Sequence, residues 1–136
     1  MATQHIIAPQ VVVEQVSRHA GPVFGRWLVA WRIQNLGQHP IELQRARLPH
    51  SLFRGEEREV GGKPKLTPGE SAQIEVSVAC GEPPGAVIEN AFLILRVLWL
   101  GEAWWLFARL CVVIDSEGGP EAKTETITAH PVGFSG

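Results

Sequence analysis

The sequence predicts an all-β protein, an antiparallel β-sandwich of about seven to eight strands. Three observations carry this. Two long apolar runs, 91–100 and 103–115, are rich in Val, Ile, Leu, Phe and Trp and meet at Gly101-Glu102. Other segments, notably 26–36 and 71–80, alternate apolar and polar residues with the period of a half-buried strand. Ten Pro and 14 Gly stand mostly between the apolar runs, as turns between short strands require.

The two central runs form the element around which the others are placed. Each is too short for a membrane-spanning helix, and Arg96 and Arg109 interrupt them, so no membrane span is expected. Gly-X at a two-residue connection suits a type II′ hairpin turn at Gly101-Glu102, with Leu100 opposite Ala103. Side chains alternate along a strand, so this pairing separates two faces. One holds Ala91, Leu93, Leu95, Val97 and Trp99 with Trp104, Leu106, Ala108, Leu110 and Val112; it contains no polar group and is read as core. The other holds Phe92, Ile94, Arg96 and Leu98 with Trp105, Phe107, Arg109 and Cys111. A solvated face would be more polar, and a buried one would not hold two unpaired guanidiniums. Arg96 and Arg109 are expected to stack on Trp105 and Phe107 with their charged ends in water. Either the chain's own tail or a loop covers this face, or a partner does.

Taken in order, residues 1–9 read as an irregular arm and 10–18 as the first strand. Gly21-Pro22 breaks the chain. In 26–36, Trp27, Val29, Trp31 and Ile33 share the inward face. A turn over 35–40 returns into a strand over 41–48, whose apolar parity switches between Leu43 and Ala46, the mark of a bulge. Residues 49–64 are the least regular; Leu52 and Phe53 plug the core edge, and the charge run 54–59 is a solvated turn or edge. Thr67-Pro68-Gly69-Glu70 has Pro and Gly in type II positions. In 71–80, Ala72, Ile74, Val76, Val78 and Cys80 point inward. Residues 116–120 read as a flexible linker, 122–130 as an edge strand or one that crosses to a neighbouring molecule, and the final six residues as loose. The expectation is one domain over 1–136, with its core at about 10–115.

A formal charge of −2 with 19% charged residues provides no electrostatic footprint for nucleic acid. Hydrophobic residues make up 45% of the 136, with five Trp, which excludes a disordered chain. The first residues lack a basic stretch followed by an apolar one, so a cytoplasmic location and reduced thiols at Cys80 and Cys111 are expected.

Asn35-Leu36-Gly37 followed by Pro40-Ile41-Glu42-Leu43, and Leu66-Thr67-Pro68-Gly69-Glu70-Ser71 leading into Ile74-Glu75-Val76, resemble bacterial immunoglobulin-like and fibronectin type III-like modules. There an Asn-x-Gly turn follows one core strand and a Pro-Gly-Glu turn precedes a later one. The resemblance covers roughly 26–115 and implies a fold and a habit of binding; it carries over no functional residue. The order Cys80, Trp99, Cys111 departs from the disulfide-and-tryptophan core of antibody domains.

Catalytic signatures are absent from the sequence. Five His at 5, 19, 39, 50 and 130 fall in expected turns or termini. Cys80 and Cys111 sit in apolar contexts where a thiol is inert packing. No Cys-x-x-Cys, His-x-His or His-Glu-x-x-His spacing provides metal ligands. Glu56, Glu57 and Glu59 read as a solvated edge, and Gly61-Gly62-Lys63 lacks phosphate-loop spacing. The expectation is therefore a non-enzymatic module with no cofactor and no metal. It makes protein–protein contact or self-associates through Phe92, Ile94, Arg96, Leu98, Trp105, Phe107 and Arg109, the residue types that dominate interface energy. The alternative is a carbohydrate- or small-ligand-binding module.

Overall fold

The computed structural model describes residues 7–133. Residues 1–6 of the expected arm, His5 among them, and 134–136 of the expected loose tail lie outside the described residues. Nine strands are present among the described residues: β1 Val11–Ala20, β2 Arg26–Asn35, β3 Ile41–His50, β4 Phe53–Glu59, β5 Lys65–Leu66, β6 Ser71–Ala79, β7 Val87–Trp99, β8 Glu102–Ile114 and β9 Pro120–Pro131. All pairings are antiparallel, and eight strands form one path, β1-β2-β6-β4-β3-β7-β8-β9, with β5 on β3. The all-β antiparallel class expected from the sequence is present. The strands number nine rather than seven to eight among the described residues, and they share one hydrogen-bonded path that curls until β9 approaches β1.

The count rises because the charge run 54–59, expected as a solvated turn or edge, is part of a strand, and because a short β5 is added. It lies in β4, where Phe53 and Gly55 point inward and Glu56, Glu57, Arg58 and Glu59 stay exposed. Beyond Arg54, β4 has no partner on its β6 side, and charged side chains are what such an open edge needs to remain soluble. Phe53 is fully buried and meets Trp31 edge-on, whereas Leu52 stays exposed. The link from β4 to β6 is slight. Only Arg54 and Ala79 pair, and a wedge of about 450 Å3 opens between 58–61 and 73–76. At its closed end a Cβ on Gly55 would lie 2.8 Å from Cγ1 of Val76, so the approach of the two strands there requires glycine.

The central hairpin keeps its faces but not its turn. Leu100 and Gly101 both have positive φ, 50° and 77°, so the loop is type I′, one residue earlier than expected. Trp99 pairs with Glu102 and Val97 with Trp104. From Ala91 to Trp99 each β7 residue therefore meets a partner two positions away from the expected one, a shift that leaves every side chain on its face. The type I′ turn matches the right-handed twist of the flanking strands. Long apolar ladders offset the roughly 1 kcal/mol that a left-handed Leu costs. Val29, Trp31, Ile33, Leu43, Leu48, Leu93, Leu95, Leu106 and Leu110 fill the interior. The bulge expected in β3 is present between Leu43 and Arg45. A second bulge at Glu89-Asn90, with Asn90 at φ 58°, lets Ile88 and Ala91 both face inward.

Asn35, completely buried, ties three segments together. Its Nδ2 donates to the carbonyls of His39 and Leu66, and its Oδ1 accepts from the Gly37 N–H at 2.8 Å. Its backbone pairs with Glu70 and Gly69 across the type II turn, where Gly69 has φ 86°. The Asn-x-Gly and Pro-Gly-Glu motifs noted in the sequence therefore meet in space.

Residues 116–120 form a tight turn rather than a flexible linker. Oδ1 of Asp115 accepts from the Glu117 and Gly119 N–H groups. β9 then pairs with β8 of its own chain along 120–131. Side chains span the remaining seam to β1. Gln15 donates to the Pro120 carbonyl and accepts from the Ala122 N–H, Thr124 donates to the Val13 carbonyl, and Arg18 pairs with Asp115. The Gly119 N–H, then the Arg18 guanidinium and the Glu117 N–H, hold the Asp115 carboxyl below its ordinary value of 3.8.

Two predictions follow from these contacts. Asn35→Ala leaves two carbonyls and one N–H without their partner, and should cost about 3 kcal/mol in urea unfolding. The exposed Gln38→Ala, in the same turn, should change stability by no more than about 0.5 kcal/mol. For Asp115 the folded pKa lies below the unfolded one, so its stabilisation is present above the unfolded value and is lost as pH falls through the folded value. Asp115→Asn should therefore be less stable than wild type at neutral pH, with the gap closing below about pH 4. A gap that stays constant across that range in urea midpoints would contradict the assignment.

Candidate functional site

The outer surface of β3, β7, β8 and β9 carries every residue proposed from the sequence. Phe92 pairs with Arg109, Ile94 with Phe107, Arg96 with Trp105, and Leu98 with Ala103. β3 adds Glu42, Arg45 and Arg47 opposite Leu98, Arg96 and Ile94. On the other flank β9 adds Thr126, Thr128 and His130 opposite Arg109, Phe107 and Trp105. The tail therefore widens this face from within the sheet instead of lying across it.

Trp105 is the centre of the array. The guanidinium carbons of Arg96 and Arg47 lie 5.6 and 5.7 Å from its ring centroid, within cation–π range. Ile94, in the row between them, is 5% exposed though it belongs to the outer face, because arginine stems cover apolar surface while their ends reach outward. Phe107 meets Phe92 edge-on at 6.2 Å and His130 at 5.3 Å. Phe92, Arg96, Leu98, Trp105 and Phe107 are all half-buried, and Arg109 is exposed. Arg109 does not stack on an aromatic ring as expected; its Nε lies 3.7 Å from Glu125. The strand parity of β3 beyond its bulge would have pointed to Arg47. The contribution of His130 depended on knowing that β9 pairs beside β8.

The other tryptophans divide by face. Trp31, Trp99 and Trp104 are buried, as their parity requires. Trp27, expected in the core, is half-buried at one end of the sheet, with the Arg18 guanidinium 5.3 Å from its ring. It lines a cavity of about 630 Å3 together with Val23, Phe24, Cys80, Pro83 and Pro84. Phe24 at its rim is 97% exposed.

Groups capable of chemistry are dispersed. Cys80 and Cys111 are free thiols. Burial raises the Cys80 pKa, the opposite of what activates a nucleophile. His39 packs edge-on to Trp99, and His50 accepts the Leu52 N–H. Among the described residues no three His, Cys, Asp or Glu side chains converge as metal ligands. No helix among the described residues is long and apolar enough to cross a membrane.

The two neighbouring tryptophans of β8 provide a test of the face assignment. Trp104→Ala should cost about 4 kcal/mol, the range for a core aromatic. Trp105→Ala should cost roughly 1 kcal/mol, the stacking that it shares with two arginines. Equal losses in urea unfolding would place both rings in the interior.

No protein-family model matches the sequence, and no curated protein matches it.

Proposed function

We propose that this chain is a non-enzymatic, immunoglobulin-like binding module that contacts another protein through the outer face of β3, β7, β8 and β9. The observation that carries this is the Arg47–Trp105–Arg96 cluster, with Phe92 and Phe107 beside it, on a face where these rings remain partly exposed. Half-buried aromatics and arginines at the middle of a patch are the groups whose removal costs interfaces most. The fold reading draws on strand order. β1-β2-β6 follows the A-B-E order of immunoglobulin-like sandwiches and β3-β7-β8 follows C-F-G, with the two groups joined by a single pairing between β4 and β6. Two free thiols suit a reducing compartment and support a cytoplasmic setting.

A second reading, a module for a small apolar ligand or carbohydrate, draws on the Phe24–Trp27 cavity, whose volume lies within the usual range for ligand sites. One experiment separates the two. Wild type, Trp105→Ala/Phe107→Ala and Trp27→Ala, each verified as folded by circular dichroism, are used to capture proteins from host lysate. The captured protein is then purified and its affinity for all three is measured. The docking reading expects binding to wild type and Trp27→Ala and a loss of at least about tenfold in the face variant. Equal affinity for the face variant overturns it, and dependence on Trp27 instead favours the end cavity.

A further inference from the structure

Four arginines reach the outer face, and the chain itself balances two of them. Arg45 lies 3.2 Å from Glu57 and 3.6 Å from Glu59, and Arg109 pairs with Glu125. Arg47 and Arg96 form no ion pair among the described residues. Both lie against Trp105, and Nε of Arg47 is shielded from water without a hydrogen-bond acceptor. A guanidinium stacked on an indole keeps the edge of its N–H fork available, and a carboxylate fills that fork with two parallel bonds. Shielding of the ring side makes an uncompensated charge there more costly than one in open water, and a bound anion relieves that cost.

Resting on the docking role above, we propose that the occupant of this face is an acidic, partly apolar segment of another protein. Its carboxylates are received by Arg47 and Arg96, and an apolar side chain by Phe92 and Phe107. Arg96 and Phe92 are four residues apart on one strand, roughly 13 Å at extended spacing, so an extended segment with an acidic pair and an apolar residue four positions away matches both. A second copy of this chain is a poorer occupant. A two-fold contact through this face would set Arg47 and Arg96 of one copy against those of the other. Single-stranded nucleic acid is also a poorer fit. Two guanidiniums already engage the Trp105 ring, and Phe107 is held edge-on between Phe92 and His130, which leaves little ring face for a base to stack on.

The probe is a short fluorescein-labelled extended peptide carrying two Glu and, four residues on, a Leu, with a matched peptide in which Gln replaces both Glu. Fluorescence anisotropy with the full chain should show saturable binding of the Glu peptide that weakens as salt is added. It should weaken at least about tenfold in Arg47→Gln/Arg96→Gln, while Arg58→Gln on the β4 edge leaves it unchanged. Absence of binding, equal binding of the Gln peptide, undiminished binding to the double variant, or displacement of the peptide by oligouridylate overturns the proposal. If the double variant does not fold, a photo-crosslinking version of the peptide on wild type decides. Adducts on the outer residues of β7 and β8 support the proposal, and adducts elsewhere overturn it. The docking reading is tested separately with the protein captured from lysate. A partner that depends on Trp105 but binds Arg47→Gln/Arg96→Gln as tightly as wild type removes the acidic segment and leaves the docking face standing. A partner indifferent to Trp105 removes the face itself.

Discussion

The pairing of β7 with β8 is the constraint on which the other elements depend. Two thirteen-residue strands are zipped through a type I′ turn, and their register decides which side chains of both strands face inward. Ala91, Leu93, Leu95, Val97, Leu106, Ala108, Leu110 and Val112 then present an apolar surface that only the curled remainder of the sheet can bury. β3 and β9 pair on the two flanks of this hairpin and adopt its division into faces. A slip of one residue in the hairpin would put the outer set of one strand, with Arg96 or Arg109, on the same face as the other strand's leucines, so the ladder fixes the core and the outer array together.

The rest of the architecture closes around that ladder by weaker means. At the β1–β9 seam, Gln15, Arg18 and Thr124 supply side-chain hydrogen bonds where a backbone ladder would otherwise run. At the β4–β6 link the strands touch at one residue pair and then splay. Asn35 locks the end of β2 to both neighbouring turns with bonds made away from water, where the loss of one partner strands the other. Polar groups therefore fix the junctions, and apolar groups supply most of the burial.

On the outer face, the arrangement that packs the side chains is also the one the proposed docking would use. Arg47 and Arg96 lie against Trp105, and this packing keeps Ile94 dry without a second layer above it. The two stacks together contribute on the order of 1 kcal/mol, enough to order the side chains but not enough to use their hydrogen-bonding capacity. In the proposed docking role these donors would be held in place beforehand, which lowers the entropy lost on association.

Local patterns in the sequence determined a good deal. Period-two alternation identified β2, β6, β7 and β8 and most of their inward residues, Trp27 excepted, because burial on one face of a strand must repeat every second residue. The parity break after Leu43 marked the β3 bulge, and Pro68-Gly69 marked a type II turn, since each depends only on neighbouring residues. The faces of the hairpin were legible even though its turn was misplaced, because the error moved partners by two positions. Only the tertiary structure decided that 54–59 is a strand, that nine strands share one path, and that β9 runs beside β8. It alone brought Arg47 and His130 to Trp105. Those outcomes depend on pairing between segments far apart in the chain, and no local period records which strand a given edge will meet.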